Sequence, residues 1–127
     1  MADSSPIPTA TDIRVFVPAL DFEQSLRFYT RLGWTLKWQA DDNSLALLEF
    51  AHSRFFLQNF YVKAWAENFV FQVLVDDAAA WHDHVAALLA AESFGQARVN
   101  TPRKEPFGAI TTHVWDPSGV LINLTQF

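Results

Sequence analysis

The chain has 127 residues, half of them hydrophobic and fewer than a fifth charged, with a formal net charge of −5. That size and composition suit one globular domain, or two small fused modules, and exclude a disordered chain. The acidity argues against a nucleic-acid partner, and no apolar run approaches the ~20 residues that span a bilayer. Absence of cysteine removes disulfides, thiolate metal sites and cysteine nucleophiles. Residues 1–10 read as a flexible lead without the basic and apolar regions of a signal peptide, so a cytoplasmic location is expected.

Residues 13–17, Ile-Arg-Val-Phe-Val, form a β-prone run that Pro18 should stop. Asp21 is a good helix N-cap, and Leu26, Phe28, Tyr29 and Leu32 recur at helical spacing up to Gly33. Residues 34–39, 44–50 and 54–60 read as strands, the first two joined by a turn at Ala40-Asp41-Asp42-Asn43. Residues 59–68 read as a loop that carries Phe60, Tyr61 and Trp65 between the halves. The order then repeats. Residues 68–75 predict a strand, Asp77 caps a helix over 78–91 that Gly95 closes, and 96–100 predict a weak strand. A loop follows over 102–108, ahead of two final strands.

Those last strands flank Asp116-Pro117-Ser118-Gly119, where Pro117 presets the first corner of a type I turn and Gly119 takes the left-handed exit. A one-residue bulge there sets Asp116 opposite Val120, Trp115 opposite Leu121 and His113 opposite Asn123. Period two then puts Thr111, His113, Trp115, Leu121 and Asn123 on one face, with Val114, Ile122 and Leu124 facing a core. Two βαβββ units over 11–64 and 65–127 form an internal repeat, giving an α+β fold with a cleft between curved sheets.

Two segments carry a family resemblance. The first runs from Val17-Pro18-Ala19-Leu20-Asp21 through Ser25 and Phe28-Tyr29 to Leu32-Gly33-Trp34. The second is Glu105-Pro106-Phe107-Gly108, then a strand, then Asp116-Pro117-Ser118-Gly119. On the repeat that spans the chain, they resemble the vicinal oxygen chelate superfamily of glyoxalases, bleomycin resistance proteins and extradiol dioxygenases. The look is nearest to the bleomycin-resistance type.

The superfamily's enzymes hold a divalent metal with His, Glu or Gln from strand positions in both halves. By motif those positions here are Arg14, Val70 and Asn123, with Glu49 or Gln58 near the fourth. A cation, an aliphatic side chain and a carboxamide are poor ligands, so no metal or other cofactor is expected. His82 and His84 lie on nearly opposite sides of a helix, and His52 sits in an exposed turn. His113 reads equally as a ligand anchor or a satisfied core histidine, and it has no visible carboxylate to orient it as a base. Arg14 calls for Glu49 or an anionic ligand as its partner.

Arg14, Trp38, Glu49, Trp65, Gln72, Phe107, His113, Trp115 and Asn123 are thus the candidate ligand-binding residues, with the tryptophans and Phe107 as stacking walls. The resemblance implies a metal-free, homodimeric protein that sequesters an aromatic or amphipathic small molecule. The competing readings are a lyase, isomerase or dioxygenase with a shifted metal site, and an interaction module whose cleft is filled by its own side chains.

Overall fold

A computed structural model describes residues 6–127, so the first five positions of the expected lead lie outside the described residues. The first half runs β1 (Phe16–Pro18), α1 (Phe22–Leu32), β2 (Thr35–Gln39), β3 (Leu45–Phe50) and β4 (Ser53–Gln58). After α2 (Lys63–Glu67), the second half runs β5 (Val70–Leu74), α3 (Ala78–Ala91), β6 (Arg98–Val99), β7 (Arg103–Lys104), β8 (Ile110–Trp115) and β9 (Leu121–Gln126). Each half builds its own sheet, in the order β1-β4-β3-β2 and β5-β9-β8-β6, with β7 also paired to β8. In both sheets the first strand lies parallel to the last and the remaining pairs are antiparallel. The two halves therefore repeat one topology. No helix of the described residues is long and apolar enough to cross a membrane.

Both long helices begin as the sequence predicts. The Asp21 carboxylate accepts the Gln24 N–H at 3.1 Å, and Asp77 accepts the Ala80 N–H at 3.0 Å. Phe22, Ser25, Phe28, Tyr29 and Leu32 form the buried stripe of α1. Gly33, at φ 134°, closes that helix and returns its N–H to the Tyr29 carbonyl. The closing hairpin has the expected register, with Trp115 opposite Leu121 and His113 opposite Asn123. Gly119, at φ 91°, makes the bulge, and the Asp116 N–H meets the Val120 carbonyl at 2.8 Å.

Several boundaries differ from the sequence reading. Pro18 belongs to β1, because an edge strand can spare one amide; the ladder starts only at Phe16, leaving Ile13 and Arg14 ahead of it. Part of the 59–68 loop is the short helix α2. The loop expected over 102–108 contains β7, held by pairing to β8. Helix α3 spans the expected 78–91, but the extended Glu92 rather than Gly95 closes it.

The aromatic excess goes first into a shared core. Tyr29 meets Phe55 at 5.1 Å and Trp34 meets Phe55 at 4.6 Å, while Phe71 from β5 reaches Phe55 at 5.8 Å. The halves are also joined by buried polar contacts. The Tyr29 hydroxyl donates to Asp116 Oδ2 at 2.7 Å, and Asp116 Oδ1 accepts the Ser118 and Val120 amides at 2.8 and 2.9 Å. Ser118 Oγ accepts the Leu20 N–H at 2.9 Å and lies 3.3 Å from Ser25 Oγ. The two segments that carry the family resemblance thus touch each other.

Burial pushes the Asp116 carboxyl up from 3.8 to about 6, against the opposing pull of the Tyr29 hydroxyl and the turn amides. Folding therefore favours the protonated acid: this stabilisation is complete below 3.8 and is lost as pH rises through about 6. In Asp116→Asn the dependence should vanish, so that unfolding free energies of the two proteins diverge by up to roughly 3 kcal/mol between pH 4 and pH 7. Tyr29→Phe leaves Asp116 Oδ2 without that donor and should cost about 2–3 kcal/mol in denaturant titrations at neutral pH.

Candidate functional site

The registers lay three rows across the outward face of the second sheet. One runs Gln72, Asn123, His113 over β5, β9 and β8. On one side of it lie Val70, Leu121, Trp115 and Arg98; on the other, Leu74, Thr125, Thr111 and Arg103. A polar stripe is therefore set between an apolar row and a hydroxyl row. Phe71, Ile122, Val114 and Val99 turn the opposite way and pack into the core or against it.

Gln72 Nε2 donates to Thr125 Oγ1 at 3.2 Å, and Thr111 Oγ1 lies 3.2 Å from the same atom. His113 Nε2 stands 3.9 Å from Glu105 Oε1, and the His113 ring lies at 27° to the Trp115 indole with centroids 6.3 Å apart. The Arg98 guanidinium sits over the other ring system, 3.9 Å from the Trp115 centroid. Beside them opens a hollow of about 610 Å³, lined by Val99, Asn100, Thr101, Pro102 and Arg103 together with His113 and Trp115. Asn123 Oδ1 is buried without a hydrogen-bond partner, alone in this among the described side chains.

The structure thus brings Gln72, His113, Trp115 and Asn123 together, and places the other candidates elsewhere. Trp38, half-exposed on β2, meets Phe56 edge-on at 6.4 Å on the first sheet, where Phe16 stacks on Phe56 at 5.1 Å. Trp65 projects from α2 against Phe60, beside a hollow of about 430 Å³ lined also by Phe16, Pro18, Gln58 and Phe69. Phe107 lies in the turn after β7, exposed and facing Phe127 at 6.1 Å.

The expected Arg14–Glu49 pair does not form. Arg14, lying before the β1 ladder, bonds Asp12 at 3.0 Å and covers the Phe56 ring. Glu49 faces Arg54 in the β3–β4 register, bonds it at 2.7 Å and has Lys37 at 3.9 Å. The Arg54 guanidinium holds the Glu49 carboxyl below its ordinary value. Of the other histidines, His52 is exposed, His82 contacts Asp83, and His84 Nε2 lies 3.0 Å from the last carbonyl of α1, that of Leu32.

Sequence reasoning missed Glu105, Arg98 and Arg103. Glu105 was visible only as part of a motif, because its position over His113 depends on the β7–β8 turn, where the Glu105 N–H bonds the Ala109 carbonyl at 2.8 Å. The alternation that places Arg98 and Arg103 is hidden by the break between the two-residue strands β6 and β7.

These donors do not fit a divalent transition-metal site. The stripe offers one imidazole and two carboxamides, with one carboxylate beyond, and no group of three His, Cys, Asp or Glu among the described residues could hold an ion.

The chain matches the model of the Glyoxalase/Bleomycin resistance protein/Dioxygenase superfamily over residues 13–124. No curated protein matches it. Among solved structures it is similar to a bleomycin resistance determinant encoded on the transposon Tn5, at 21% identity and TM-score 0.75, covering 92% of this chain and 98% of that one. It is similar to a bleomycin-binding protein from bleomycin-producing Streptomyces verticillus, complexed with copper(II)-bleomycin, at 18% identity and TM-score 0.75, covering 95% and 99%. Lactoylglutathione lyase from Agrobacterium tumefaciens follows at 14% identity and TM-score 0.69, covering 94% and 95%.

An unpartnered buried acceptor costs about 1–3 kcal/mol. Asn123→Leu should therefore raise the denaturation midpoint while weakening whatever binds over the stripe; a lowered midpoint would show that the amide is satisfied in solution.

Proposed function

The chain belongs to the glyoxalase/bleomycin resistance protein/dioxygenase superfamily, and from that premise we propose that it sequesters an aromatic or amphipathic small molecule without metal chemistry. The observation that carries this reading is the second-sheet stripe: Gln72, Asn123 and His113 offer directional hydrogen bonds beside the Trp115 ring, and no metal-grade donor set accompanies them. Such a site orients a flat molecule by stacking and a few polar contacts. The bleomycin-binding protein complexed with copper(II)-bleomycin, which shares the fold, supports a small-ligand role.

The working unit of the proposal is a homodimer in the cytoplasm. Outward faces of both sheets carry half-exposed apolar groups, Phe16 and Trp38 on the first, Val70 and Leu74 on the second. A second copy would cover them, setting the aromatic platform of one protomer opposite the polar stripe of the other. Trp38 and Phe107 would then serve as walls, and Trp65 as a flanking contact. Antibiotic resistance is one biological role such sequestration could serve.

One observation favours catalysis. Glu105 supplies the carboxylate that His113 lacks in the sequence reading, at a distance of 3.9 Å that closes to a hydrogen bond with a small rotamer change. A lyase, isomerase or dioxygenase of this family would need a metal, and that requirement separates the readings.

Light scattering at micromolar concentration should give twice the chain mass of 14.4 kDa. Elemental analysis and melting curves with Zn, Mn, Fe and Ni should show no stoichiometric metal and no specific shift; a specific shift would move the assignment to the enzyme. Bleomycin and a set of aromatic compounds should include ligands that quench tryptophan fluorescence, with the quench reduced in Trp115→Phe.

A further inference from the structure

Charge on this molecule is segregated. The chain as a whole carries −5, yet residues 96–115 hold Arg98, Arg103 and Lys104 against the single acid Glu105. Neither Arg98 nor Arg103 has an acidic partner within 4.0 Å among the described residues, whereas Arg14, Arg27, Arg31 and Arg54 all do. Glu105 is turned toward His113, and Glu67 lines the adjoining hollow with Arg98 and Trp115. The hollow of about 610 Å³ beside Trp115 has Arg103 and His113 as its only charged or titratable lining groups, and no carboxylate lines it.

Geometry adds to the charge count. Arg98 spends the flat face of its guanidinium on the Trp115 indole. Stacking leaves the in-plane N–H groups of a guanidinium free, and that edge matches an oxyanion in bidentate fashion. Arg98 itself lines the adjoining hollow past Trp115, with Glu67 and Gln96, whereas Arg103 lines the larger one, with the Asn100 and Thr101 side chains as neutral polar groups beside it. The hollow thus has an aromatic wall, one cation in Arg103 and a polar rim.

We infer that this hollow takes a planar aromatic ligand bearing an oxyanion, a carboxylate or a phosphate, with the anion at Arg103 and the ring against Trp115 and His113. The inference rests on the binding reading above and narrows it to one ligand charge. Encounter is favoured by the local positive field on an otherwise acidic molecule, so cationic aromatics of the same size are rejected here.

The test uses three probes on one frame, naphthalene-2-carboxylate, 2-naphthyl phosphate and 2-naphthylmethylammonium, titrated calorimetrically into the full chain. One or both anions should bind about tenfold or more tightly than the cation, with affinity falling as salt rises from roughly 0.05 to 0.5 M. Relative affinity of the two anions distinguishes a carboxylate site from a phosphate site. Arg103→Gln, with fold verified by circular dichroism, should lose about threefold to tenfold in anion affinity, and Arg98→Gln, in the adjoining hollow, should lose less. Arg31→Gln on α1 removes the same charge at a distance and should lose none. Preference for the cation, or equal losses at Arg31 and Arg103, would overturn the charge assignment and leave the binding reading standing. Heat from none of the three probes, together with no tryptophan quench by any aromatic compound, would overturn both.

Discussion

The hydrogen bond from the Tyr29 hydroxyl to the Asp116 carboxylate is the contact on which the site depends. It ties the helix of the first half to the turn of the last hairpin, and both partners are buried. The other Asp116 oxygen receives two turn amides, so the same carboxylate that docks the helix also shapes the turn. Turn shape fixes register, and register decides which side chains face outward. Had the hairpin slipped by one residue, Val114 and Ile122 would lie outside while His113 and Asn123 entered the core. A single buried acid therefore couples the packing of the two halves to the chemistry of the surface that its own hairpin carries.

Legibility followed the strength of local signals. The hairpin was readable because Asp-Pro-Ser-Gly has few conformational options, and its register then followed from the bulge at Gly119. Helices α1 and α3 were readable at their starts, where Asp21 and Asp77 bond the expected amides. Their ends were readable too, Gly33 closing α1 and α3 ending at Ala91, although the extended Glu92 rather than Gly95 closes α3. Strand β7 and helix α2 escaped. Arg103–Lys104 is a strand only because β8 pairs with it, and Val62 offers no side-chain cap to announce α2. Such short elements are set by tertiary contacts, which a pattern in the sequence does not contain.

Ion pairing was the least readable level. Arg14, read as a cation in an apolar cleft, called for Glu49 or an anionic ligand. Glu49 instead takes Arg54, the residue directly across the β3–β4 ladder, while Arg14 takes its near neighbour Asp12. Proximity in register or in sequence outweighs a longer-range pairing, since it costs less side-chain ordering.

The partition of aromatic residues shows what remains for function once the fold is satisfied. Phe28, Tyr29, Trp34 and Phe55 are buried, and Trp81 packs against the same core. Trp38, Trp65 and Phe107 are left exposed, and Trp115 faces outward beside His113. Trp115 differs from the rest in its company. Around Trp38 each cation has an acid within 4.0 Å, Lys37 and Arg54 sharing Glu49 and Arg14 on Asp12. Around Trp115 two arginines stand without acids, next to a buried amide oxygen without a donor. The unsatisfied buried acceptor is a cost that packing gives no reason to keep and that a bound donor would relieve, and the exposed guanidiniums are free to meet an anion. That coincidence of arginines without acid partners and an unsatisfied acceptor on one face, rather than the count of aromatic rings, is the physical ground for placing the site on the second sheet.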